Sequence, residues 1–147
     1  MHRPAVVLGL AALLACGHQR PAPLAPLPET PEAAVSAFLD AVNASDLARL
    51  AELWGDASGP SSTGRMKPEE RRQRLMIMQR VLRCDHYRIV SVASVDREEL
   101  VTAELTQGNR HPMVPFRVVR WRRGAGWLVR EPGIAAAMPA AGPRQPN

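Results

Sequence analysis

Few side chains in this chain have types and spacings suited to chemistry, and they are unevenly placed. The two cysteines are Cys16 and Cys84, and the four histidines are His2, His18, His86 and His111. The densest polar cluster is "RCDHY", residues 83–87. On a strand, Cys84 and His86 would share one face, as a thiolate and an imidazole must do to hold zinc. No CxxC pair, second nearby cysteine or remote histidine pair completes such a site, although His111 could approach in space. The cluster therefore reads as a helix-to-strand junction with a buried thiol and a hydrogen-bonded histidine, and neither a metal nor a cofactor is expected. A catalytic carboxylate would need an apolar pocket to move its pKa toward neutrality. Asp40 lies off the apolar stripe of its segment, and Glu104 alternates away from Val101, Ala103 and Leu105. Asp96, Glu98 and Glu99 cluster at a turn. Each reads as a solvated surface carboxylate, so no catalytic residue is assigned.

The remaining chemistry belongs to arginine. From Glu29 to Ser58 there are six acids against the single Arg49, whereas Arg65 to Glu131 holds fifteen basic residues against eight acids. Lys67 is the only lysine. Guanidinium pairs bidentately with oxyanions, so an anionic small molecule or lipid head group would suit this half. The plainer reading is a solvated surface. Arg117, Arg120, Arg122 and Arg123 run along one expected strand with Trp121, where their charge would also discourage edge pairing. No aromatic platform interleaves them, and nucleic acid is not expected as a partner. Trp54, Tyr87 and Trp121, with Arg117, are the candidate lining of a pocket. Trp127 belongs with these aromatics, all of which could equally serve as core.

The amino terminus has the layout of an export signal. Arg3 and the terminal amine precede the apolar run "AVVLGLAALLA", residues 5–15, which falls short of the ~20 residues that span a bilayer. The run ends in "LLAC", residues 13–16. This resembles the lipobox of bacterial lipoproteins, in which a leucine and two small or aliphatic residues precede a cysteine. The resemblance implies cleavage between Ala15 and Cys16 and a diacylglycerol thioether on Cys16. It also implies acylation of the new amino terminus. Gly17, in place of an aspartate, implies sorting to the outer membrane. Two or three acyl chains anchor stably where one does not. The competing reading is an ordinary secretory signal cut at a nearby alanine, with Cys16 discarded or kept as a thiol.

Stepwise periodicity supplies the elements. Residues 31–44 predict a helix, with Thr30 as N-cap, Pro31 at its first position, and Val35, Phe38, Leu39 and Val42 as its stripe. A second helix follows with Ser45 as cap and Asp46 at its positive end, carrying Leu47, Leu50, Ala51 and Trp54 until Gly55. "GDASGPSSTGR" is loop by composition. A third helix begins near Pro68, with Leu75, Met78 and Leu82 on its stripe and Ile77 and Val81 widening it. After Cys84 the pattern becomes strand-like: "HYRIVSVASV", "ELVTAELTQ", "MVPFRVVRWRR" and "GWLVRE", with short turns that favour an antiparallel meander. The class is α+β, with three helices packed on a sheet of about four strands.

The order of elements, with "PEAAVSAFLDAVNASDLARLAELWG", resembles the nuclear transport factor 2-like superfamily, through Phe38, Leu39, Asp46 and Trp54. The resemblance implies a curved sheet around a helix and a cone-shaped pocket. The layout that follows is a leader over 1–15, a Pro-rich tether over 16–30, the domain over 31–131 and a disordered Pro/Ala tail over 132–147. The expected function is a lipid-anchored protein of the bacterial cell envelope, with a non-catalytic domain for a small hydrophobic or anionic ligand or for protein association. The alternatives are an isomerase, cyclase or dehydratase acting in the cone pocket, and a structural homodimer formed through the sheet.

Overall fold

The computed structural model describes residues 25–141. Cys16, the expected leader, residues 16–24 of the tether and residues 142–147 lie outside the described residues. The first helix, α1, spans Pro31–Asn43. The Thr30 hydroxyl oxygen accepts the Ala33 N–H at 3.1 Å, as an N-cap does, and Pro31 follows at the position where a missing N–H costs nothing. α2 is Leu47–Leu53. Its cap is Asp46 and not the expected Ser45: Asp46 Oδ1 accepts the Arg49 N–H at 2.9 Å, while Ser45 makes the turn with φ at +56°. A carboxylate at the N-cap also meets the positive end of the helix dipole, which favours Asp46 over its neighbour.

The expected loop after Trp54 is partly ordered. It forms a miniature hairpin, β1 (Gly55–Asp56) with β2 (Gly59–Pro60), and a 3-10 turn over Ser61–Thr63. α3 then runs over Pro68–Leu82. Four strands follow, β3 (His86–Val95), β4 (Glu98–Thr106), β5 (Met113–Arg120) and β6 (Trp127–Pro132). They pair in sequence order and antiparallel throughout, giving the meander that the short turns predict. Register shifts at Ile89/Ser91 and Arg117/Val118 mark bulges, which increase local twist.

α1 lies across one face of the sheet and touches all four large strands. Val35, Phe38, Leu39 and Val42 from the helix and Val101, Ala103, Leu105, Val114, Phe116 and Val118 from the sheet are fully buried. Phe38 and Phe116 meet edge to face, with ring centroids 6.1 Å apart. Alternation places Glu104 on the opposite face, where Arg88 pairs with it at 3.4 Å. Two boundaries differ from expectation. Inside the expected tail, α4 (Ile134–Ala137) packs on α3 and β5, with Ala137 buried and its carbonyl accepting from Arg110 at 2.8 Å. Inside the expected tether, Leu27 and Pro28 are half-buried, the Pro28 carbonyl accepts the Trp127 N–H at 2.9 Å, and Arg49 donates to the carbonyls of Ala25 and Pro26. Proline composition at either end masked these contacts, which depend on partners distant in sequence.

Candidate functional site

A concavity of about 780 Å³ opens where α2 gives way to the miniature hairpin. Trp54 leaves the helix in an extended conformation. Its indole N–H donates to the Arg130 carbonyl at 3.2 Å, and its backbone bridges to Val129 of β6. The hairpin is so tight that a Cβ on Gly55 would overlap the Gly59 carbonyl oxygen and lie 2.9 Å from Pro60 Cα. Gly59 has φ at +144°, which only glycine adopts without strain, and a side chain there would also press on the Trp121 indole. Asp56 Oδ1 accepts the Ser58 N–H at 2.7 Å and closes the turn. From outside, Trp121 Nε1 donates to the Ser58 carbonyl at 3.1 Å, and the Arg122 N–H donates to Ala57. The 3-10 turn completes the wall: Ser61 Oγ donates to the Ala51 carbonyl at 2.8 Å and Thr63 Oγ1 to that of Pro60 at 3.1 Å. Those hydroxyls are structural ties.

The resulting groove has an apolar floor of Trp54, Pro60 and Met66, and a rim carrying Arg65, Arg123, Arg130 and Asp56. Arg130 pairs with Glu98, whose second oxygen lies 3.4 Å from Arg117. Among the described residues Arg65 and Arg123 have no carboxylate partner within ion-pair distance. Two exposed guanidiniums beside apolar surface favour an anion with a hydrophobic body, held by charge-assisted hydrogen bonds at the rim.

The four candidate pocket residues do not converge. Trp54 lines the groove, and Trp121 braces its hairpin from behind. Arg117 lies on the far sheet face, tied to Glu98 and to Glu131 at 3.7 Å. Tyr87 sits where β3 meets α1, its hydroxyl 2.7 Å from Asp40 Oδ1 and 3.2 Å from the Ser36 carbonyl. The expected strand of arginines is also divided, because β5 ends at Arg120. Trp121 to Arg123 then leave the sheet, and this brings Arg123 to the groove. Arg65 ends a stretch that composition marks only as loop, and Met66 lies between that stretch and α3. The glycines of that stretch were the available signal, since a tight hairpin requires them.

Next to Tyr87, the junction at residues 83–87 is held by Asn43, the last residue of α1. Asn43 Oδ1 accepts the Cys84 N–H at 3.0 Å, and its amide N–H₂ reaches Cys84 Sγ at 3.6 Å. Burial pushes the half-buried Cys84 thiol up, with the Asn43 amide pulling the other way and Asp85 and Asp40 adding to the rise. His86 is exposed, and His111 Nδ1 lies 3.5 Å from Thr106 Oγ1. Among the described residues no three His, Cys, Asp or Glu side chains converge as metal ligands would, and no polar or charged residue is buried. No helix among them is long and apolar enough to cross a membrane. No protein-family model, curated protein or solved structure matches the chain.

Proposed function

We propose that this is a lipid-anchored protein of the bacterial cell envelope whose domain, a nuclear transport factor 2-like one, holds a small anionic, partly hydrophobic molecule in the groove beside Trp54. The anchor rests on the sequence "LLAC" and on Cys16. The superfamily assignment is supported by α1 lying across a four-stranded meander, with Phe38 and Leu39 in the core. The binding role is carried by one observation: Arg65 and Arg123 stand without carboxylate partners over the apolar floor made by Trp54, Pro60 and Met66. In this groove charge fixes the ligand's orientation, and the floor removes its apolar surface from water at ~25 cal/mol per Å².

The anchor is tested by mass spectrometry of the membrane fraction from cells making wild type and Cys16→Ser. Wild type should carry the mass of diacylglycerol and fatty acid on a chain beginning at Cys16, and the variant should not. An unmodified, soluble wild-type protein would defeat the anchor. The groove is tested with 1-anilinonaphthalene-8-sulfonate, an anion with a flat apolar body. Arg65→Ala with Arg123→Ala should weaken its binding roughly a hundredfold, in keeping with two charge-assisted hydrogen bonds of ~1.5 kcal/mol each. The uncharged 1-anilinonaphthalene should bind both proteins alike.

A further inference from the structure

α3 is expected to bury a stripe widened by Ile77, yet the structure buries only Leu75, Met78 and Leu82 along it. Ile77 is 55% exposed and Met76 49%. They sit together on the outward face, in a shallow depression of about 570 Å³ that Arg80 and Arg83 also line. Helical spacing carries the same face back to Arg72 and Gln73, all exposed. Arg74 is tied to Glu70 at 2.8 Å, but Arg72, Arg80 and Arg83 have no ion-pair partner among the described residues. Two acids, Glu69 and Glu70, lie at the N-terminal end of the helix, and Glu70 is the one paired with Arg74. The helix thus presents an apolar pair set among cationic side chains.

We propose that this face of α3 rests on an anionic bilayer surface. Charge complementarity selects the occupant: three unpaired guanidiniums match lipid phosphates, whereas an apolar protein groove would leave them desolvated and unpartnered. Met76 and Ile77 are long enough to enter the head-group boundary while the helix axis lies parallel to it. The position of the chain agrees. Eight residues lie between Cys16 and Ala25, the first described residue in contact with the domain, and the nine steps of chain span at most about 30 Å. The inference rests on the lipid anchor only for bringing this face near a membrane, and its test removes the lipid so that the two can fail separately.

Full-length Cys16→Ser protein is compared with the same chain carrying Met76→Ser and Ile77→Ser, or Arg80→Glu and Arg83→Glu. Each is sedimented with vesicles of mixed phosphatidylglycerol and phosphatidylcholine, and with phosphatidylcholine alone. The leader is common to all three, so differences belong to α3. Either double change should weaken association with the anionic vesicles about tenfold, and the effect of the Arg80→Glu and Arg83→Glu change should vanish near 1 M salt, where screening acts over about 3 Å. Amide hydrogen exchange over residues 72–83 should slow with anionic vesicles and not with neutral ones, while unchanged exchange elsewhere reports intact folding. Equal binding by all three chains, or no slowing at 72–83, overturns the proposal. Slowing without vesicles that grows with protein concentration assigns the face to a second copy of the chain, and overturns it too.

Discussion

The Tyr87 hydroxyl ties the edge strand β3 to α1, and its environment makes that tie sensitive to pH. Burial first, then the hydrogen bond to Asp40, push the phenol up to about 12. Because this lies above the ordinary value of ~10, the tie contributes its full stability below pH ~10 and loses it as pH climbs through the folded-state value. Tyr87→Phe should cost about 1 kcal/mol at neutral pH and should flatten the loss of stability between pH ~10 and ~12. Urea unfolding across that range measures both, and an unchanged slope would count against the tie. At Glu98 the charges can be separated in a similar way. This carboxylate, only 15% exposed, stands between Arg117 and Arg130, and Arg130 lines the groove. Glu98→Ala should destabilise the domain by about 1 kcal/mol and leave Arg130 available, so that the anionic probe binds several-fold tighter. Calorimetric titration alongside thermal unfolding distinguishes this from simple loss of structure, which would weaken both.

Among the elements, α1 holds the core and the miniature hairpin shapes the groove. Phe38→Ala removes the ring that meets Phe116 and should cost 3–5 kcal/mol, roughly, in chemical denaturation. Gly55→Ala should act locally instead. The added methyl would collide with backbone across the hairpin, so probe binding should fall sharply while the unfolding midpoint of the domain moves little. These elements differed in how far they could be read in advance. α1 and the strands carry their signals within short windows: a 3.6-residue stripe through Phe38 and Leu39, and alternation through Val101, Ala103 and Leu105. The hairpin has no such repeat. Its form depends on Trp54 bridging to Val129 and on Trp121 reaching Ser58, pairings across more than sixty residues that no local pattern records. The groove shares that cause, since Arg65 and Arg123 meet only when β5 stops at Arg120. Ile77 is a different case. Periodicity placed it beside the buried stripe, but α1, α2 and α4 cover a narrower arc of α3 than the helix has apolar residues to fill.

For the whole molecule, the domain reaches beyond the segment bounded by prolines, from Pro28, whose carbonyl accepts the Trp127 N–H, to Ala137, whose carbonyl accepts from Arg110. The outer sheet face is crossed by the pairs Arg88–Glu104 and Arg117–Glu131, so a homodimer through it would have to bury or break them. Sedimentation equilibrium of the Arg117→Ala protein, set beside wild type, reports whether those charges hold copies apart. The docking of residues 25–28 has a further consequence, which concerns concentration. For a chain tied to the bilayer at Cys16, that clamp confines the domain to a volume about 30 Å in radius, where the local concentration of membrane surface is of millimolar order. An α3 face too weak to hold free protein on a vesicle would still be occupied most of the time. Loosening the clamp, for example with Arg49→Ala, would lengthen the leash and dilute that contact without touching α3.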